Sequence, residues 1–477
     1  MKYLLLLILF LSPLISHSQT YFLLSDSQKE YLEYKILLLD VRDYPPSQPA
    51  SNEQIFNIVS TDTSFHGQSI KHIIIKPKST LHVGTSATTY LNRNNSGVLT
   101  NLYGIYRQGG THAVFNYRAD SDYQKNDKYF GSVGKFGSNV IGRITDSYIL
   151  HAKGPFSFFY GRQSRNYGLL TSPSLILSDY PFSYDHFLFE YETHYFNYSY
   201  LTTRLEDKDA YDIRDDIIES TWQKRFLSFH RLDISISDNL KVSLSESVLY
   251  GGSTQTMLPM YLNPMNIWFI SKMVERKGVE ESNVNALMAF DILYKPKANI
   301  IFYQQILIDD MDFTKEARER YPDRIGYTGK VFLLDLLPES LLSMEYVHIS
   351  NWTYNSYYTF GNYTFYDMSL GYPLHGFEQF ELKFNSFYLN KMTFSTSIFS
   401  RRAREQDMES PFIDIKTKFP IGTAQSSMGC KMGVSYLWSV KGSISLLMDY
   451  ISHENFQNLE GQNSSSTNIL MSFDYIL

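Results

Sequence analysis

Residues 230–250, "HRLDISISDNLKVSLSESVLY", hold two runs of alternating character around a turn. His230, Leu232, Ile234 and Ile236 fall on one side of an extended chain, and Arg231, Asp233 and Ser235 on the other. After "SDN", Leu240, Val242 and Leu244 alternate with Lys241, Ser243 and Ser245. Period two of this kind reads as a β-hairpin with one apolar and one polar face. What remains to decide is which solvent meets each face. A soluble sheet turns its apolar face to a core, whereas an outer-membrane barrel turns it to lipid and lines a wet lumen with the polar one.

The same plan recurs along the chain. "FDILYKPKANIIFYQQILID" (290–309) turns at "KPKAN", "FYLNKMTFSTSIF" (387–399) at "LNK", and "YLWSVKGSISLLMDY" (436–450) at "SVKG". Between these short turns lie long polar connections, among them "TTRLEDKDAYDIRDDIIES" (202–220) and "SHENFQNLEGQNSSSTN" (452–468). Short turns alternating with long loops favour a membrane barrel over a sandwich, whose long loops need not gather at one end. Turns placed near 108–111, 152–155, 179–184, 237–239, 295–299, 338–340, 389–391 and 438–441 give about 18 strands, with residues 351–376 open between one elaborate loop and two more strands. Met471, Phe473, Tyr475 and Leu477 form an apolar face running to the chain end, as expected of a closing strand presented to barrel insertion machinery.

Composition agrees with aromatic strands that have one wet face. Of 477 residues, 16% are aromatic and 19% charged, with a net charge of -6 and no basic stripe, which argues against nucleic acid. Mean hydropathy is -0.26, too low for a helical membrane protein. At the N-terminus, Lys2, the apolar run "YLLLLILFLSPLI" and Ser16 and Ser18 match a signal peptide over residues 1–18. "SDSQKEYLEYKILLLD" (25–40) then reads as one helix, ended by "YPPSQP", in a periplasmic segment of residues 19–69. The single cysteine, Cys430, allows no internal disulfide. A closed barrel needs none, because its backbone groups pair across the sheet.

No motif for a catalytic nucleophile, a phosphate loop or a cysteine metal site is present. Four polar residues, His186, Glu190, Glu192 and His194, share one face of an extended chain. Paired carboxylates serve glycoside hydrolysis when suitably spaced, and His186, Glu190 and His194 could reach a metal. A solvated lumen network explains them more simply, so no metal and no cofactor is expected. Glu246 interrupts the apolar face of Leu244 and Val248, which suggests a bulge or rim position, with a lumen arginine as partner or a glycan as ligand. The acids between Asp207 and Glu219 read as a solvated loop, with divalent-cation binding the alternative.

In "FFYGRQSRNYG" (158–168), Arg162 and Arg165 follow an aromatic run at once. If Phe156, Phe158 and Tyr160 face lipid up to the aromatic girdle, the arginines lie beyond the hydrocarbon, at the rim or in the lumen. There they would contact a glycan or brace Glu190 or Glu246. "YLNPMNIW" (261–268) supplies a further candidate contact in Asn263 and Trp268, although Trp268 as a loop anchor needs no ligand.

Three segments resemble the Wzi family of capsule-assembly proteins: "GRQSRNYGLLTSPSLILSDYPFSYDHFLFEYE" (161–192), "SESVLYGGSTQTMLPMYLNPMNIW" (245–268) and "SLGYPLHGFEQFELKF" (369–384). The resemblance spans roughly residues 150–400, and this chain departs from the family in its short N-terminal part. It implies an outer-membrane barrel of about 18 strands with a small helical periplasmic part and a role in assembling or retaining surface polysaccharide; the missing catalytic motifs make that role non-enzymatic. The alternative is a channel or porin for small solutes. The expected fold is thus all-β: a transmembrane antiparallel barrel of about 18 strands over 70–477, in contact with outer-membrane lipid.

Overall fold

The computed structural model describes residues 21–45, 47–49, 52–74, 81–92, 95–121, 142–210, 221–253, 255–268, 284–310, 323–356, 359–405 and 418–476. Residues 1–18, expected as a signal peptide, lie outside these, as does most of the acidic stretch 207–219.

Eighteen antiparallel strands close into a barrel. They are β1 (Leu81–Asn92), β2 (Asn95–Gln108), β3 (Thr111–Asp120), β4 (Gly142–Lys153), β5 (Phe156–Gln163) and β6 (Tyr184–Glu192). Next come β7 (Phe196–Arg204), β8 (Thr221–Ser237), β9 (Leu240–Gly252), β10 (Val284–Lys297), β11 (Ile300–Asp310) and β12 (Arg324–Leu334). The circuit ends with β13 (Ser340–Ile349), β14 (Phe377–Ser386), β15 (Met392–Ala403), β16 (Gln425–Ser439), β17 (Gly442–Glu454) and β18 (Asn463–Ile476). Closure comes from β1 against β18, with Ser86 opposite Ile476 and Asn92 opposite Leu470. A further short strand, Lys208–Ala210, pairs with the start of β8.

The hairpin of residues 230–250 forms as its alternation requires. Leu244 stands opposite Leu232, and Ser243 opposite Asp233. Leu244, Phe290, Phe302, Phe380 and Ile398 are exposed on the outer surface, while Asp233, Lys241, Ser243 and Asp291 are buried inside. This is the reverse of a soluble protein. Burying each such outer side chain is worth roughly 1.5–3 kcal/mol, here gained in lipid rather than in a core. No helix among the described residues is long and apolar enough to cross a membrane.

The N-terminal segment holds three helices rather than one: α1 (Asp26–Leu38), α2 (Asn52–Val59) and α3 (Phe65–Ile73). The Ser25 backbone N–H donates to Gln28 Oε1 at 2.9 Å to start α1, and Ser64 Oγ accepts from the Gly67 N–H at 3.0 Å to start α3. Lys295 ends α1 from the wall. Its Nζ donates to the carbonyl oxygens of Leu37, Leu38 and Leu39 at 2.8, 3.0 and 2.7 Å, putting a cation where the helix dipole is negative. Tyr34 stacks on Phe387 at 5.3 Å, and Val41 N–H donates to the carbonyl of Asp238 at 2.8 Å. Phe387 and Asp238 lie in short connections, so the helices pack at the end of the barrel that carries the short turns.

One topological expectation needs correction, and one open alternative is resolved. Residues 179–184 are not a short turn; the connection between β6 and β7 is at residues 193–195. Residues 351–376 are one elaborate loop. Among its described residues the strands are a miniature hairpin, Thr364–Phe365 with Met368–Ser369, that stands apart from the wall.

Candidate functional site

The lumen holds a segment that the strand pattern does not account for. After β5 the chain does not cross directly to β6. Residues 164–183 run down inside the barrel and back. Near the helices, Asn166 and Gln48 exchange backbone hydrogen bonds of 2.7 and 3.0 Å, and the Leu170 N–H donates to Tyr44 Oη at 2.9 Å. Farther along, Lys330 Nζ donates to Ser172 Oγ at 2.7 Å, and the Leu175 N–H to Gln305 Oε1 at 2.5 Å. The loop 351–376 folds in against it, with the Ser178 N–H donating to the carbonyl of Leu370 at 2.8 Å. Together they bury Leu175, Ile176, Leu177, Tyr354, Tyr363 and Leu370 against Leu227, Phe229, Leu249 and Leu307 of the wall. An apolar core therefore forms inside a wall whose inner face is largely polar.

Buried charges are paired where this plug meets the wall. Arg231 donates through Nε to Asp233 at 2.9 Å, and through a terminal nitrogen to Asp291 at 2.8 Å and the carbonyl of Tyr167 at 3.2 Å. Tyr303 Oη adds a bond to Asp291 at 2.9 Å. Arg225 spans the carbonyls of Phe360, Asn362 and Thr364 at 2.7, 2.7 and 2.9 Å, and pairs with Glu206 at 2.7 Å. Burial pushes the Glu206 carboxyl above the usual carboxylate range, against the opposing pull of Arg225. Arg404 bonds to the Asn351 carbonyl and to His375, and lies 4.9 Å from the Trp352 ring. Burial, then the adjacent Arg404, holds His375 well below the ordinary histidine value. None of these clusters was picked out from sequence, yet Arg231 and Asp233 carried a signal: opposite charges two apart on the inward face of a strand.

The structure separates the two arginines of residues 158–168. Phe158 and Tyr160 are exposed on the outer surface, as expected, and Arg162 follows on that face, paired with Asp185. Arg165 is 0% exposed, inside the barrel. Its Nε donates to His186 at 3.3 Å, its guanidinium lies 4.5 Å from the Phe159 ring, and its terminal nitrogens lack a hydrogen-bond partner among the described residues. Of the two places expected for the arginines, Arg162 takes the outer surface and Arg165 the lumen, with the barrel wall between them.

The four-residue polar face also divides. His186 and Glu190 point inward and are buried, with Ser199 Oγ 3.5 Å from Glu190. Glu192 accepts from Gln54 at 3.4 Å, and His194, past the strand end, bonds to Arg42. Among the described residues, no group of three or more His, Cys, Asp or Glu is placed to hold a metal ion.

The strand register shows no bulge at Glu246, and its hydrogen-bond partners are not a lumen arginine. It sits on the outer face of β9 opposite His230, which donates from Nε2 at 2.9 Å. Residues 255–268, with the short helix α4 (Pro259–Leu262), fold back over this wall. Trp268 stacks on His230, and its backbone N–H donates to Glu246 at 3.0 Å. Asn263 is exposed, its side chain accepting from the Met265 N–H at 3.1 Å within the same loop.

On the opposite side the plug leaves space. A cavity of about 770 Å3 lies between the N-terminal part of α1 and the inner faces of β14–β18 and β1–β3.

Fold, outer apolar belt and filled lumen define the class: an 18-stranded outer-membrane β-barrel. In particular, the fold is that of Wzi from Escherichia coli, a solved structure described as an outer-membrane protein involved in group 1 capsule assembly and a carbohydrate-binding β-barrel. The likeness covers 97% of this chain and 99% of that one, with a TM-score of 0.63 and 12% identity. OccD3 (OpdP) of Pseudomonas aeruginosa aligns over 83% of this chain and 91% of its own, at a TM-score of 0.46 and 10% identity. OccK10 (OpdN) of the same organism aligns over 84% and 99%, at 0.47 and 10%. No protein-family model and no curated protein sequence matches this chain.

Proposed function

We propose that this chain is a non-enzymatic outer-membrane barrel that holds capsular or other extracellular polysaccharide at the cell surface. The observation that carries the reading is the filled lumen. A solute porin works through an open water path, whereas residues 164–183 and 351–376 pack an apolar core inside this wall. Likeness of fold to a carbohydrate-binding barrel points the same way.

A second reading, a channel for small solutes, is favoured by the 770 Å3 cavity. Planar-bilayer recording of the purified chain separates the two. A holder leaves conductance near the lipid baseline, and deleting its gene releases polysaccharide into the medium. Stable open-pore conductance, with cell-bound polysaccharide unchanged on deletion, is the channel's result.

A further inference from the structure

We propose that the cavity beside α1 is a binding site for a segment of uncharged oligosaccharide, an inference that rests on the polysaccharide-holding reading and gives it a place in the fold. The cavity is the sector of lumen that the plug leaves free. At about 770 Å3 it falls within the range of about 300–1,000 Å3 typical of ligand sites.

Its lining is rich in hydroxyls. Ser395, Ser397, Ser435, Ser443, Ser445 and Ser472 come from four neighbouring strands. A hydroxyl both donates and accepts, so although Ser435 donates to Ser445 at 2.9 Å and Ser443 to Asp474, these oxygens keep acceptor capacity for the hydroxyls of a sugar. Thr393, also in the lining, is buried, and its hydroxyl has no hydrogen-bond partner among the described residues. Phe22 and Tyr90 add ring faces on which a sugar ring can lie.

Charge argues for a neutral ligand. Among the described residues, five basic and five acidic side chains line the cavity, so their formal charges cancel. Several are already spent on one another: Lys383 pairs with Glu30 at 2.5 Å and Arg118 with Asp120 at 3.1 Å. Asp474 accepts from Thr88 at 2.7 Å and Ser443 at 3.0 Å. An acidic glycan would call for unpaired, convergent guanidinium groups, and among the described residues of this lining the only arginine is Arg118.

The test uses the full chain in detergent, with maltohexaose as the neutral probe and an oligogalacturonate of equal length as the acidic one. In a Cys430→Ser background, Ser395→Cys places a thiol in the cavity with little change of volume. Saturating maltohexaose should slow its modification by a water-soluble methanethiosulfonate at least about tenfold. Ser395→Trp and Ser445→Trp should each weaken maltohexaose binding by calorimetry at least about tenfold with heat-modifiable barrel unchanged, and the oligogalacturonate should bind at least about tenfold more weakly than maltohexaose. An unprotected thiol, or tighter oligogalacturonate binding, overturns the proposal. If the tryptophan variants do not assemble, the thiol measurement decides alone. Released polysaccharide in a deletion strain together with an unprotected thiol would sink the cavity and leave the holding function. Protection of the thiol with polysaccharide unchanged on deletion would do the opposite.

Discussion

Trp268 lies flat on His230, ring centroids 4.2 Å apart and planes 12° from parallel, on the outside of the barrel wall. Both also donate to Glu246, His230 from its ring and Trp268 from its backbone. A carboxylate on the lipid-facing side of a strand is thereby roofed by the protein's own loop. Tyr198 Oη donates to the Pro264 carbonyl and holds the same roof in place.

Removing the stacked ring should open the roof. Trp268→Ala is expected to cost about 3 kcal/mol, the low end for a buried tryptophan. It should lower the temperature at which the barrel loses its heat-resistant gel mobility and make residues 253–268 sensitive to protease. An unchanged unfolding temperature would mean that the loop contributes nothing to the wall beneath it.

Arg231 makes a different kind of test. Arg231→Met leaves Asp233 and Asp291 buried without their cation, a loss of about 3–5 kcal/mol. The triple variant Arg231→Met, Asp233→Leu, Asp291→Leu removes the charges together and should recover most of the folded barrel per cell. If single and triple variants fall equally, the cluster's role is not charge balance.

Much of this wall was legible in the sequence because period two survives in lipid and in the lumen alike. The hairpin at 230–250 and seven of the eight placed turns follow from alternation and turn residues. The turn expected near 179–184 fails for a physical reason that lies in residues 164–183. A segment threaded through the lumen loses water on all sides, so Leu175, Ile176 and Leu177 become as apolar as a strand. Glu246 misled in the opposite way: its partners come from the neighbouring strand and from a loop 22 residues on, and no local pattern records that contact. The cavity was illegible because it depends on where the plug does not go.

The loop 351–376 should respond to pH. His375 is neutral in the fold because burial, and then Arg404, disfavour its charged form. The unfolded loop takes up a proton below about 6.5, and the folded loop resists it. The clamp of His375 on Arg404 is therefore at full strength above that pH and weakens as pH falls. Relative to the intrinsic exchange rate at each pH, the protection of amides in residues 351–376 should drop between pH 7.5 and 5, and His375→Gln should remove the dependence. Equal protection factors at both values would contradict it.

Orientation can be read on intact cells. An epitope within residues 456–461, between β17 and β18, should be reached by antibody, whereas one at residues 298–299, between β10 and β11, should not. The reverse labelling would place the helices on the outside.

Holding polysaccharide is the central claim, and the direct measurement is the ratio of cell-bound to released polysaccharide in cells with and without the gene, normalised to folded barrel. Deletion should shift polysaccharide from cells to medium with total production unchanged, and restoring the chain should reverse the shift. A ratio that stays the same in both strains would contradict the account.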